Sequence, residues 1–155
     1  MKLSKRTQYG FRLMAELGRH FDEGPIPLGE IARKEDLSEK YLEQIVIHLR
    51  PAGFLRAVRG PKGGYLLSVP PSKIRLRLLF EAFEGSSGIT ECVKSSSACK
   101  RVRNCASRQL WMTLERGISE TLNSLTLADL LTASPKEAAS LRSAIADSHM
   151  PVGYI

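Results

Sequence analysis

The chain has 155 residues, of which 43% are hydrophobic, and a formal net charge of +7. This length and apolar content suit one small domain with a buried core, and the basic balance indicates a polyanionic partner, first of all nucleic acid. No apolar run reaches the roughly 20 residues that a membrane span needs, and Arg12 interrupts the N-terminal segment where a signal-peptide core would lie. We therefore expect a cytoplasmic protein without a membrane partner, in which cysteines stay reduced.

The chain begins with a basic segment followed by two helical patterns. Apolar residues at helical spacing predict a first helix over residues 8–21 and a short second helix over 28–36. The cations Lys5 and Arg6 near the start are candidate contacts to DNA phosphates. A solvated helix end would carry the same charges, so this alternative stays open.

A third helix is predicted over Glu39–Leu49, with Ser38 as its N-cap. Two short helices joined by a tight turn are the geometry of a helix-turn-helix, whose second helix lies in the major groove with its N-terminal residues at the base edges. A glutamate there can accept a hydrogen bond from cytosine, and a glutamine can pair with adenine. The candidate base contacts are Ser38, Glu39, Lys40, Glu43 and Gln44. By spacing alone, an ordinary surface helix is the alternative.

A basic β-hairpin is predicted next, after Pro51 ends or kinks the third helix. Phe54–Val58 and Tyr65–Val69 are rich in strand-forming residues, and the Gly/Pro turn between them carries Arg59 and Lys62. Such a wing suits contact with the DNA backbone or the minor groove, for which Arg59 is best placed. An ordinary solvated hairpin is the alternative.

All three cysteines of the chain, Cys92, Cys99 and Cys105, lie in one short basic segment. The thiolate is the form of cysteine that binds metals and reacts, and nearby cations favour it. Three thiolates on one flexible loop can converge on a metal or an iron–sulfur cluster. A metal-free redox sensor and a structural zinc site are the alternatives. The chain has no Gly-rich phosphate loop, catalytic carboxylate pair or Ser/His/Asp set, so we do not expect an enzyme.

Helices are predicted on both sides of the cysteine segment. Ile74–Glu84 precedes it, and a helix of about five turns follows it, with Asn104 as N-cap. The apolar stripe of that second helix consists of Leu110, Leu114, Ile118, Leu122 and Leu125. The stripe could pack on its own chain, but we favour a second copy, because readers of paired half-sites need two-fold symmetry. Thr126–Leu131 is predicted to be a short closing helix, and a further helix could form over 136–146.

Three stretches resemble a known family, the winged-helix iron–sulfur regulators that include IscR, NsrR and RirA. They are SEKYLEQ at 38–44, VRGPKGGY at 58–65 and the cysteine loop, within a likeness that covers roughly residues 1–132. The resemblance implies a homodimeric bacterial repressor that binds a double-stranded DNA operator under the control of an iron–sulfur cluster. It also implies base contacts from Tyr41, Glu43 and Gln44, with Arg59 as the minor-groove arginine.

The cluster ligands implied by the resemblance are Cys92, Cys99 and Cys105. IscR has a histidine where this chain has Arg108, and NsrR has an aspartate where it has Gln8. Arginine stays protonated and does not ligate iron, so this chain is closer to the RirA type, which shows no obvious fourth protein ligand. An open iron site would leave room for a small molecule or a labile iron. We expect a 4Fe–4S cluster that senses iron, redox state or nitric oxide, with 2Fe–2S as the second choice.

The expected fold is mainly α with a small β-hairpin wing. A winged helix-turn-helix DNA-binding domain is predicted over residues 1–85 and a cluster-binding loop over 86–108. A dimerisation helix is predicted over 105–132, followed by a C-terminal tail over 133–155. The alternative function, on the same fold, is a metal-free thiol-based transcriptional regulator.

Overall fold

The computed structural model describes residues 3–85 and 89–132. Over these ranges the protein is mainly helical with one two-stranded antiparallel hairpin, which confirms the predicted fold class. The helices are α1 (Lys5–Arg19), α2 (Leu28–Glu35), α3 (Glu39–Leu49), α4 (Leu76–Glu84), α5 (Glu91–Lys94), α6 (Ala106–Ser124) and α7 (Leu127–Thr132), and the strands are β1 (Leu55–Val58) and β2 (Gly64–Leu67). The helix suggested over 136–146 and the tail over 133–155 lie outside the described residues.

The first helix begins three residues earlier than predicted. The side chain of Ser4 caps it by accepting a hydrogen bond from the backbone N–H of Thr7 at 3.1 Å. Apolar periodicity does not extend into this basic segment, which is why the pattern alone missed the start. Lys5 and Arg6 therefore lie in the first turn of α1, so their backbone positions are set by that helix.

Helices α2 and α3 form the expected helix-turn-helix. α2 ends at Glu35, and its C-cap Asp36 has a left-handed backbone with φ of 51°. Ser38 stands at the N-cap position of α3, as predicted, although its side chain makes no capping hydrogen bond. The bounds of α3 are those predicted, and its core face buries Leu42, Ile45, Val46 and Leu49. After α3, Gly53 turns the chain with φ of 79°.

The hairpin is joined to the segment in front of α2. The strands pair with Leu55 opposite Leu67 and Val58 opposite Gly64. Tyr65 also pairs with Ile26 through two backbone hydrogen bonds of 2.9 Å. A Cβ on Gly64 would lie 2.3 Å from the backbone of Ile26, so this close approach requires glycine. The wing is therefore held at a set position relative to the helix-turn-helix.

The chain returns to its first core after α6. Leu127 of α7 is fully buried in the same cluster as the core residues of α1, α3 and α4. Its N–H donates to the carbonyl of Ile74 at 2.8 Å, and the N–H of Leu76 donates to the carbonyl of Leu125 at 3.0 Å. α7 thus anchors the far end of α6 to the helices that carry the helix-turn-helix.

The long helix α6 leaves the first part of its apolar stripe exposed, whereas Leu122 and Leu125 pack against the core of their own chain. α6, which is described in full, has no buried side chain, and Leu110 and Leu114 are 53% and 45% exposed. The N-cap is Cys105, so the prediction of Asn104 was wrong. The reason is local: the N–H of Asn104 belongs to the preceding turn, where it donates to the carbonyl of Arg101 at 3.1 Å. In the described ranges, no helix is long and apolar enough to cross a membrane.

Candidate nucleic-acid interface and cysteine site

The face of α3 that points away from the core carries most of the predicted base contacts. Ser38, Glu39, Lys40, Glu43 and Gln44 are all exposed. Successive helical residues are rotated by about 100°, which places Lys40, Glu43 and Gln44 opposite the buried side of α3. These three side chains have hydrogen-bonding groups that can reach base edges without disturbing the core.

Tyr41, the remaining predicted base contact, is half-buried between α3 and α1. Its ring meets that of Tyr9 edge-on, with centroids 5.7 Å apart and planes at 84°. The Nζ of Lys5 lies 5.4 Å from the Tyr9 centroid, and the guanidinium of Arg12 lies 5.7 Å from it. The aromatic pair therefore sets the distance between the first turns of α1 and the recognition helix.

An open groove of about 320 Å³ lies between the start of α1 and α3. It is lined by Ser4, Lys5, Arg6, Tyr41, Gln44, Ile45 and His48. Lys5 is exposed there, which fits its predicted phosphate contact. The groove places a cation beside Gln44 of the recognition helix.

Arg6 is held inside the fold more firmly than the sequence indicated. It is half-buried and donates to the carbonyl of Phe83 at 2.7 Å and to Nε2 of His48 at 3.2 Å. Because a guanidinium only donates, Nε2 of His48 is the acceptor in this contact. Arg6 thus links α1 both to the recognition helix and to the end of α4.

Glu84 makes a second link between the start of α1 and the end of α4. Its Oε1 accepts from the N–H of Ser4 at 3.1 Å and from the hydroxyl of Thr7. The Thr7 hydrogen bond outweighs the opposing effect of burial, so the pKa of the Glu84 carboxyl lies below its ordinary value. Both links end immediately before the segment that bears the cysteines.

The turn of the wing presents its cations to solvent. Arg59 and Lys62 are both exposed in the turn between β1 and β2. The pairing of Tyr65 with Ile26 fixes the base of the hairpin, so the two cations project from an anchored support. This placement suits the predicted backbone or minor-groove contact.

The three cysteines differ in their surroundings. All are free thiols; Cys92 and Cys105 are half-buried, and Cys99 is exposed. Cys92 lies on α5, with its Sγ 3.2 Å from the hydroxyl oxygen of Thr90, and its carbonyl accepts from Nε of Arg108 at 2.9 Å. That contact joins α5 to α6, so the cysteine site is held between these two helices.

Cysteine is the right type of ligand for an iron–sulfur cluster, but the three side chains do not converge on a common binding position. Thiolates are the usual ligands of such clusters. Within residues 3–85 and 89–132, however, no three His, Cys, Asp or Glu side chains lie close enough to hold a metal ion. Arg108 and Gln8, at the positions of the familiar fourth ligands, donate instead to the carbonyls of Cys92 and Leu3. A shared cluster would require the cysteine segment to rearrange so that the three sulfurs come together.

A helix-turn-helix with an anchored wing defines the chain as a winged-helix transcriptional regulator. The model of the Rrf2 family, described as "Iron-dependent Transcriptional regulator", matches residues 3–133. The chain belongs to the Rrf2 family.

Relatives and solved structures agree with this assignment. The chain is 34% identical over 131 residues to the HTH-type transcriptional regulator IscR of Aliivibrio salmonicida, covering 84% of this chain and 77% of that protein. It is 36% identical to IscR of Serratia proteamaculans, covering 84% and 79%. These relatives are transcriptional regulators, which confirms the predicted class and the prediction that the chain is not an enzyme.

Two kinds of regulator occur among the similar structures. IscR of T. potens matches with a TM-score of 0.70 and 34% identity, covering 99% of this chain and 95% of that one. CymR (YrzC), the global cysteine regulator of B. subtilis, matches with a TM-score of 0.74 and 35% identity, covering 86% and 98%. The oxidized form of Staphylococcus aureus CymR matches with a TM-score of 0.69 and 36% identity, covering 86% and 98%.

The structural roles of several residues near this surface were not predicted from the sequence. Ile47 is exposed on α3, His48 contacts Arg6, and Glu84 binds the start of α1. The sequence did contain a signal for Ile47, since this apolar residue falls outside the buried stripe of its helix. His48 and Glu84 make contacts with distant segments, for which no local pattern exists.

Proposed function

We propose that the protein is a cytoplasmic, homodimeric transcriptional repressor whose operator binding is controlled by an iron–sulfur cluster on Cys92, Cys99 and Cys105. One observation carries this proposal: the segment with the three free thiols connects α4 to α6 along the chain. α4 is hydrogen-bonded to the start of α1 through Glu84, and α6 exposes Leu110 and Leu114. A change in this segment can therefore bear both on the DNA-reading helices and on the helix proposed to join two copies. The family's description as iron-dependent supports the choice of iron.

The proposed DNA contacts use three surfaces of the described fold. The exposed face of α3 enters the major groove with Glu43 and Gln44 at base edges. Arg59 and Lys62 of the wing contact the minor groove or the adjacent backbone, and Lys5 contacts a phosphate. A second copy, paired through the stripe of α6, would present its own α3 to a half-site about 34–36 Å away.

The three cysteines would hold the cluster, with 4Fe–4S preferred over 2Fe–2S. Cys92 is on α5 and Cys105 is at the N-cap of α6. The segment over 95–104 contains turns but no helix or strand, so it is the part of the chain that can move Cys99 toward the other two sulfurs. A bound cluster would provide iron atoms whose occupancy or oxidation state depends on iron supply, redox state or nitric oxide. The cluster can change DNA affinity only by as much as its own binding free energy differs between the DNA-bound and the free protein.

Anaerobic purification with visible absorption and iron and sulfide counts tests the cluster. We expect coloured protein with equal iron and sulfide. Replacing Cys92, Cys99 or Cys105 by alanine should remove most of both, while Ser96→Ala, in the same exposed loop, should keep them. If Cys105→Ala retains full iron and sulfide, the ligand assignment is wrong.

A metal-free thiol switch is the second candidate, and the surroundings of Cys99 favour it. This thiol is exposed among the exposed cations Lys100, Arg101 and Arg103, and the three sulfurs are not gathered for a metal. An oxidized form of a similar regulator, S. aureus CymR, has been solved. If this candidate is correct, anaerobic protein stays colourless after attempted reconstitution. Peroxide should then change DNA binding in the wild type but not in Cys99→Ala.

A further inference from the structure

Ile47 is the most exposed large apolar side chain that the structure describes, at 66%. It lies on α3, whose buried side consists of Leu42, Ile45, Val46 and Leu49. With a rotation of about 100° per residue, Ile47 points almost directly away from that side. It is therefore near the centre of the face that also carries Glu43 and Gln44.

The fold itself gives no reason for an isoleucine at this position. No described residue covers its side chain, and a β-branched residue is a poorer helix former than the lysine, glutamate and glutamine around it. Leaving an apolar side chain in water forfeits the free energy that its burial would contribute. An occupant from outside the described chain would recover that free energy.

The charges around Ile47 identify the kind of occupant. Lys40 on α3 and Arg50 at its C-cap are exposed, as are Glu39 and Glu43 of α3, and Lys5 lines the adjacent groove. Arg59 and Lys62 project from the wing. Five cations and two carboxylates give this surface a net positive charge, which fits a polyanion rather than an apolar protein partner. Within the major groove of DNA, the apolar group at a base edge is the C5-methyl of thymine.

We propose that Ile47 contacts a thymine methyl group in the operator and so helps to determine its sequence. The inference rests on the proposed DNA-binding function and adds one specificity contact to it. Ile47 lies three residues after Gln44, which is a rise of about 4.5 Å along α3. Base pairs are stacked about 3.4 Å apart, so the thymine lies about one or two base pairs from the base that Gln44 contacts.

Replacement of thymine by uracil in a bound duplex tests this contact without altering the protein. Uracil lacks only the methyl group and keeps the base-pair hydrogen bonds. The full chain, purified anaerobically, is first used to select duplexes from a randomised library, both with and without chelator treatment. Each thymine of a selected duplex is then replaced in turn, and affinities are measured at one fixed salt concentration. We expect one thymine per half-site whose replacement weakens binding by about three- to tenfold, the size of one buried methyl contact.

Variants of the protein test whether the preference for thymine over uracil depends on Ile47. Ile47→Ser should bind the thymine and uracil duplexes equally at that position, whereas Ile47→Val should keep part of the preference. Leu78→Ser is the matched control, because Leu78 is 53% exposed on α4; it should retain the full thymine preference. Ile47 is exposed, so its replacement should leave the thermal unfolding temperature nearly unchanged.

Two results would overturn the inference. One is that the wild type binds every uracil-substituted duplex as tightly as the original. The other is that Ile47→Ser keeps the thymine preference. Either result would leave sequence-selective DNA binding intact. If the wild type selects no sequence from the library, the proposed function itself fails, and the inference fails with it.

Discussion

Lys34 of α2 donates a hydrogen bond to the carboxylate of Glu16, which is buried in α1 with 2% exposure. Arg19 also donates to Glu16 at 2.9 Å, and Nε2 of His20 lies 3.2 Å from it. Burial opposes the charge of Glu16, but the hydrogen bonds from Lys34 and Arg19 outweigh it, so the pKa of this carboxyl lies below its ordinary value. An ion network around the buried carboxylate of Glu16, with partners that reach solvent, thus fixes α2, the first helix of the helix-turn-helix, against α1.

This network predicts a loss of stability in acid. The lowered pKa means that the stabilisation from Glu16 is complete above the ordinary value of 4.5 and disappears as the pH falls through the lower folded-state pKa. Glu16→Gln should lower the free energy of unfolding at pH 7 by about 1–3 kcal/mol and flatten its decline below pH 4.5. Urea unfolding at several pH values measures both effects. Glu23→Gln is the control, since the side chain of Glu23 is 65% exposed, and it should change little.

Thr7 controls the ionisation of Glu84. Thr7→Val removes the hydroxyl whose hydrogen bond is the largest cause of the lowered pKa, so the pKa of Glu84 should rise toward its ordinary value. A pH titration of the Glu84 carboxyl carbon by NMR gives this value directly. Thr113→Val removes a hydroxyl that donates to the carbonyl of Gln109 on α6, and it should leave Glu84 unaffected. An unchanged pKa in Thr7→Val would show that another group holds the charge.

Arg59 is expected to provide the main contact of the wing to DNA. Arg59→Ala should weaken operator binding by about 1–3 kcal/mol and reduce the preference for a narrow A/T minor groove, where the negative potential is enhanced. Fluorescence anisotropy at matched salt, on duplexes with and without an A-tract, measures both. Arg56, which is exposed on β1, gives the control Arg56→Ala with the same loss of charge. Equal effects of the two variants would contradict a specific role for Arg59.

The stripe on α6 predicts a dimer that one charge can disrupt. Leu114 is 45% exposed in the single chain. If a second copy buries it, the variant Leu114→Glu places a charge in an apolar interface, which destabilises the dimer. We expect sedimentation equilibrium to show a dimer for the wild type and a shift toward monomer for this variant. Gln109→Glu adds the same charge at an exposed position on the other side of α6 and should remain dimeric. A wild-type monomer at micromolar concentration would refute the proposed pairing.

The sequence by itself determined the elements that depend on local patterns. The apolar spacing of Leu42, Ile45, Val46 and Leu49 predicted α3 with its observed bounds, because a helix buries residues three and four positions apart. The Gly/Pro turn between two runs of strand formers predicted the wing. The cysteines, together with the motifs at 38–44 and 58–65, led to the family, since residue types at fixed spacing need no coordinates.

Only the tertiary structure decided how distant segments meet. α1 starts at Lys5 where Ser4 and Thr7 bind Glu84, about 80 residues away in the chain. α7 returns Leu127 to the first core, and the thiols of Cys92, Cys99 and Cys105 are not gathered for a metal. Such contacts depend on the packing of whole elements against one another, and periodicity within one segment carries no information about its distant neighbours.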